Sequence, residues 1–151
     1  MSSEEYYQEV LLDHFKAPRN KSKLEHCSVC VQVCNPACGD RVELSLITEG
    51  VELQSKKIKE VGFIGSGCSI SQASASMMTE LVKGKTVDES SRYVELVRKM
   101  LREDLSVKET ETLGDAAALG GVKQFAVRVR CALLAWEALE RCLLHNTSCR
   151  T

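Results

Sequence analysis

A chain of 151 residues that is 44% hydrophobic can bury the core of one domain, expected to span 1–145, with a flexible tail over 146–151. Its 20 basic and 21 acidic residues form no block of like charge, so the positive field that nucleic acid requires is missing. No run nears the roughly 18 apolar residues of a membrane span, and the first five residues are acidic where a signal peptide would be basic; the expected location is cytoplasmic.

Ser2 and Glu5 are spaced to cap a first helix, in which Tyr7, Val10, Leu11, His14 and Phe15 recur at helical intervals until Ala17-Pro18 ends it. His14 on that stripe reads as a core or interface histidine rather than a metal ligand. Val29, Val31 and Val33 then alternate with Cys30, Gln32 and Cys34, which predicts a strand with the valines facing inward. Asn35 to Asp40 is a turn, and Val42, Leu44 and Leu46 resume the alternation in a second strand. A third strand is expected from about Lys56 to Ile64.

Gly65-Ser66-Gly67-Cys68 is the sharp exit from that strand, and Ser69 with Gln72 has the spacing of a capping box, so Cys68 is expected just outside a helix N-terminus. Unpaired N–H groups and the helix dipole favour a thiolate there; a small buried thiol in a tight turn is the plainer alternative. Ile70, Ala73, Met77, Met78 and Leu81 form the apolar face of this helix, which closes at Lys83-Gly84. Thr86 and Glu89 open another with the stripe Val94, Val97, Met100 and Leu101. Ser106 with Glu109 predicts a short turn, and Asp115 is placed to cap Ala116–Leu119 before Gly120-Gly121. A last helix is expected from about Lys123 to Leu144, with Phe125, Val129, Ala132, Trp136, Leu139 and Leu143 inward. Three strands followed by helices describe an α+β fold, a three-stranded antiparallel sheet with helices packed on one face.

Eight cysteines in a reducing compartment point to metal or thiol chemistry before disulfides. Cys131 lies off the apolar stripe of the last helix, with Arg128 nearly one turn before it. Cys38 and Asp40 in the hairpin loop, Cys68 at the helix mouth and Cys131 supply three thiolates and a carboxylate, a set that suits tetrahedral Zn²⁺. Spacing leaves two readings open, a shared metal site and scattered structural thiols, because gaps of 30 and 63 residues follow no local finger pattern. Cys27, Cys30 and Cys34 invite a second metal site, but alternation sends Cys27 to one face and the other two to the opposite one. Cys142 and Cys149, towards the C-terminal end, have no assigned role, and the glycosylation pattern at Asn146 is expected to be accidental.

Four motifs carry a resemblance: Asp13-His14-Phe15-Lys16-x-Pro18-Arg19-Asn20, Asn35-Pro36-x-Cys38-Gly39-Asp40, the stretch from Gly65 through Cys68 to Met78, and Arg128-Val129-Arg130-Cys131. Together they resemble the SufU branch of the IscU/NifU-like iron–sulfur assembly proteins, over about residues 5 to 143. The resemblance implies that Cys38, Asp40, Cys68 and Cys131 are metal ligands. Scaffold members of that family usually carry histidine before the last cysteine and a Leu-Pro-Pro-Val-Lys motif; here Arg130 and Gly120-Gly121-Val122-Lys123-Gln124 stand in those places. The stretch Arg102–Gly121 is similar to the segment that SufU-type members insert between the second and third ligand cysteines.

That likeness implies a zinc-dependent sulfur carrier partnered by a pyridoxal-phosphate (PLP)-dependent, SufS-like cysteine desulfurase and by downstream iron–sulfur assembly machinery. In that scheme a partner histidine takes the place of Cys38 on the metal, and Cys38 accepts persulfide sulfur, with Arg128 stabilising its thiolate. The alternatives are a scaffold on which the same ligands hold a [2Fe-2S] cluster, and a non-catalytic interaction domain that zinc staples together.

Overall fold

The structure is a computed structural model that describes residues 3–36, 39–52 and 55–144. The expected cap at Ser2, the expected ligand Cys38, the expected tail 146–151 with Asn146, and Cys149 all lie outside the described residues. Helix α1 (Ser3–Lys16) leads through a crossing segment into strands β1 (Val29–Asn35), β2 (Asp40–Glu49) and β3 (Lys57–Ser66). Helices α2 (Ser69–Val82), α3 (Val87–Met100) and α4 (Val107–Leu113) follow, then a 3₁₀ stretch Gly114–Gln124 and α5 (Ala126–Leu144). The sheet has the order β1-β2-β3 and is antiparallel throughout, so the α+β architecture read from the sequence is the one observed.

Alternation decides which face is covered. Leu46 stands between Val29 and Val61 in the register, Leu44 between Val31 and Phe63, and Val42 opposite Val33; of these only Val31 is not fully buried. Helices α2 and α5 pack on this face. The opposite face carries Gln32, Cys34, Arg41 and Ile64, all exposed. Part of it is crossed by the segment after α1: Asn20 O accepts from Phe63 N (3.0 Å), and Leu24 N donates to Ser45 Oγ (3.3 Å). Gly62 makes room for this strap, since a Cβ there would sit 2.3 Å from Ser22 O.

Helix α2 is buried nearly all round, from Ser71 to Thr79, although much of it is polar. Its hydroxyls are satisfied: Ser74 Oγ donates to Ala132 O (2.6 Å) and accepts from Trp136 Nε1 (3.0 Å), joining α2 to α5. Ser76 Oγ accepts from Arg19 N (2.8 Å) and donates to His14 Nδ1 (2.8 Å), while His14 Nε2 donates to Asp115 Oδ2 (3.2 Å). His14 is 2% exposed and ties α1 to α2, the structural role expected of it.

Several local expectations are corrected. Phe15 is 45% exposed, because α1 turns only its Tyr7, Val10, Leu11 and His14 side towards the core. Asp115 caps nothing: the 3₁₀ stretch begins at Gly114 and runs past Gly120-Gly121 to Gln124, and the Asp115 carboxylate serves His14 instead. Helix α5 starts at Ala126, leaving Phe125 outside it and 58% exposed. Cys142 is fully buried against β2, with its thiol 4.0 Å from Leu44 O, and belongs to the core. Cys27 precedes β1, so strand alternation does not fix which way it faces.

Candidate metal centre

The candidate site lies where β2 begins, β3 ends and α2 starts. Asn35 and Asp40 pair across the mouth of the hairpin, and Gly39, at φ +75°, donates to Asn35 O (2.8 Å) to close the turn. On the far side, β3 leaves through Gly67 at φ +141°, a backbone conformation that side chains rarely adopt. A Cβ on Gly67 would lie 2.1 Å from Asp40 Oδ1, so glycine here is the space that the carboxylate occupies.

Cys68 is the N-cap of α2, with φ −71° and ψ 165°, and caps it without a side-chain bond. The Ser69–Gln72 capping box therefore does not form. Gln72 gives its Nε2 to Ser71 Oγ (3.3 Å) instead, and the orphan N–H of Cys68 goes to Asp40 Oδ1 at 2.8 Å. The acceptor comes from 28 residues earlier, where no local spacing rule can find it.

Asp40 Oδ2 stands 3.5 Å from Cys68 Sγ. Cys131, on α5, is 1% exposed, and one ligand atom from each of Asp40, Cys68 and Cys131 lies within 4.8 Å of the other two. Among the described residues these are the only three such donors that meet. Zinc takes sulfur at about 2.3 Å and carboxylate oxygen at about 2.0–2.2 Å, which at a tetrahedral angle separates the two donors by about 3.5 Å. The donors thus have the chemistry and spacing to hold a metal. Cys131 is buried yet stands outside the apolar core cluster, in keeping with its place off the α5 stripe.

Arg128, exposed and nearly one turn before Cys131, directs its guanidinium to both sulfurs. The charge on Cys68, then the hydrogen bond to it, raise Arg128 above the ordinary guanidinium value, with Cys131 adding to both effects. A fixed cation beside two sulfurs and a carboxylate offsets their mutual repulsion. Two supports of this site were not read from the sequence. One is the space at Gly67. The other is the Ser74 hydroxyl, bound to the carbonyl of the residue after Cys131, which sets α2 and Cys68 against α5. The serines scattered through a helix with apolar residues all round were the available signal for the second.

Two cysteine sulfurs and a carboxylate gathered at a helix mouth define a small α+β protein with a candidate cation site. The NifU-like N-terminal domain family matches residues 6–143, and the chain belongs to that family. It is 41% identical over 135 residues to the zinc-dependent sulfurtransferase SufU of Bacillus subtilis, covering 89% of this chain and 87% of that one. It is 35% identical over 142 residues to the iron–sulfur cluster assembly scaffold protein IscU of Streptococcus pyogenes, covering 94% and 85%. The crystal structure of a putative iron–sulfur cluster assembly scaffold protein for the SUF system from Fervidobacterium islandicum superposes with a TM-score of 0.79 at 31% identity, covering 94% and 99%. No helix among the described residues is long and apolar enough to cross a membrane.

Proposed function

We propose that this protein is a zinc-dependent sulfur carrier in iron–sulfur cluster assembly, taking persulfide sulfur from a cysteine desulfurase on Cys38 and passing it to the cluster-building machinery. The observation that carries the reading is the meeting of Asp40, Cys68 and Cys131 beside Arg128. Cys38, two residues before Asp40 in the sequence, is the fourth ligand of the proposed set. Zn²⁺ held by Cys38, Asp40, Cys68 and Cys131 would keep the thiols deprotonated and masked.

The chain's own groups do the rest. The Cys38 thiolate attacks the outer sulfur of the partner's persulfide; a new S–S bond forms on Cys38, the old one breaks, and the partner cysteine leaves as thiolate. Arg128 supplies the positive charge that stabilises the attacking thiolate. Asp40, pinned by the N–H of Cys68, holds the loop-bearing end of β2 against the mouth of α2. Arg130, in place of the histidine usual in scaffold members, and the likeness to SufU favour transfer over cluster building.

Adding the zinc-loaded protein to a cysteine desulfurase should raise turnover, and Cys38→Ala should abolish the stimulation. A Cys38→Ala protein that stimulated normally would remove the nucleophile from the scheme. The likeness to IscU supports a second reading, a scaffold for a [2Fe-2S] cluster. Anaerobic reconstitution separates the two: a transferable, visible-absorbing cluster establishes the scaffold, whereas retained zinc with no cluster establishes the carrier. The third possibility, a zinc-stapled interaction domain, requires that metal removal melt the protein yet leave sulfur acceptance by refolded chain intact.

A further inference from the structure

We propose that the outer edge of β1 is a docking surface for a second copy of this chain, which adds its own β1, antiparallel, about a two-fold axis at Gln32. The two outer edges of the sheet are treated differently. Along β3, Phe63 N donates to Asn20 O (3.0 Å), Ile58 N donates to Lys85 O (2.8 Å), and Ile58 O accepts from Gly84 N (2.7 Å). That edge is covered. Along β1, among the described residues, no backbone bond reaches Val31, Gln32 or Val33 from any element but β2. Every second residue of an antiparallel strand turns its N–H and C=O away from its neighbour, so β1 presents a row of both. Edges of this kind are usually guarded by lysine, proline, a bulge or short length. β1 has no such guard: it is seven residues, Val-Cys-Val-Gln-Val-Cys-Asn, without charge or proline, in unbroken register with β2.

The residues of the strand choose the occupant. Paired with its copy about Gln32, β1 sets Val31 against Val33, Cys30 against Cys34, and Gln32 against Gln32. Each pair joins residues of one sheet face, because side chains an even number of residues apart point the same way. Val31 is the one inner-face valine of β1 left half-buried, and in the pair it gains the other copy's Val33 beside it. A charged peptide would meet no counter-charge on this strand, whereas its own copy brings no charge to repel it; Arg41 and Glu43 stand one strand further in, on β2. The helical layer also fits. Helix α5 packs on both β1 and β2. With strands about 4.8 Å apart, a helix centred over that pair lies about 4.8 Å from the axis and about 9.6 Å from its copy, within the roughly 8–10 Å between packed helices. The contact is isologous and closes on itself. Asp40 lies past the C-terminal end of β1, so the axis sends the two candidate metal centres to opposite ends of the seam.

The pairing is independent of the sulfur-carrier reading and would stand if that reading failed. The test follows the full chain by sedimentation equilibrium over a range of concentrations, where wild type should reach the mass of two chains. Gln32→Lys sets two like charges face to face on the axis, and Gln32→Glu does the same with the opposite sign. Each variant alone should shift to the mass of one chain, and the two mixed in equal amounts should return to the mass of two. Gln32 is exposed, so both variants should fold, which circular dichroism checks. Independently, a short bis-maleimide added to mixed isotope-labelled and unlabelled wild type should join Cys30 of one copy to Cys34 of the other. Like-numbered cysteines would stand about 14 Å apart, four residues at about 3.4 Å each, beyond such a linker. Wild type at the mass of one chain throughout, a dimer that Gln32→Lys leaves intact, a mixture that fails to re-pair, or a link between like-numbered cysteines would each overturn the proposal.

Discussion

Two cysteines on α5 make an instructive pair. Cys131 and Cys142 are separated by eleven residues, three turns of helix with about 20° left over, so they look out in nearly the same direction. They are equally inaccessible, at 1% and 0% exposed. Their chemistry differs because their neighbours do. Cys131 meets Asp40, Cys68 and the Arg128 guanidinium, where a thiolate has a cation to face. Cys142 meets the core and a carbonyl of β2, and burial pushes its thiol up to about 12, with Cys30 and Cys27 adding to the rise. Burial silences a thiol only when no positive charge, fixed or metallic, stands beside it.

The largest expected contrast follows directly. Cys131→Ala should purify with no bound metal and Cys142→Ala with about one ion per chain, as read by metal analysis; equal loss in both would mean that the two thiols do not differ in kind. Next in size is the anchor between them: Trp136, fully buried, should cost about 3–5 kcal/mol of stability as Trp136→Ala, measured by denaturant unfolding. Gly67→Ala crowds the Asp40 carboxylate and should weaken metal binding about 10–100-fold in a chelator competition, the loss expected for disturbing what orients a ligand. An unchanged affinity would show that Asp40 does not bind.

The smallest effect concerns proton linkage. Because the folded value of Cys142 lies above its unfolded one, the stability tied to that proton is complete below about pH 9 and is lost as pH rises from there towards 12. Wild type should therefore lose about 1.4 kcal/mol more than Cys142→Ala between neutral pH and pH 10, in parallel unfolding curves. Curves that stay parallel would mean that Cys142 is not held in a dry environment.

The same pair shows what the amino-acid order discloses. Angular position on the helix sets Cys131 off the apolar stripe, yet Cys142 points nearly the same way and belongs to the core, so angle alone does not tell the two apart. Devices built from neighbours in sequence were legible: the Thr86–Glu89 and Ser106–Glu109 capping boxes both form as their spacing requires. So was the sheet, since alternation of valine and leucine with polar residues names its own inner face. What could not be read was supplied from far along the chain. The Ser69–Gln72 spacing was a false lead because an aspartate from another strand had already taken the Cys68 N–H. The 3₁₀ stretch resisted reading because alanines and glycines carry little angular pattern, and Asp115 was drawn off by a histidine on α1.

The dispersal of the donors along the chain has a consequence for biogenesis. Asp40 and Cys68 emerge from a ribosome long before Cys131, which belongs to the last described helix. A nascent chain therefore cannot offer the complete donor set until α5 has been made and has docked on the sheet. Capture of a cation would report that synthesis had reached the final helix and that the chain was correctly assembled, a checkpoint that ligands clustered in one short loop could not provide.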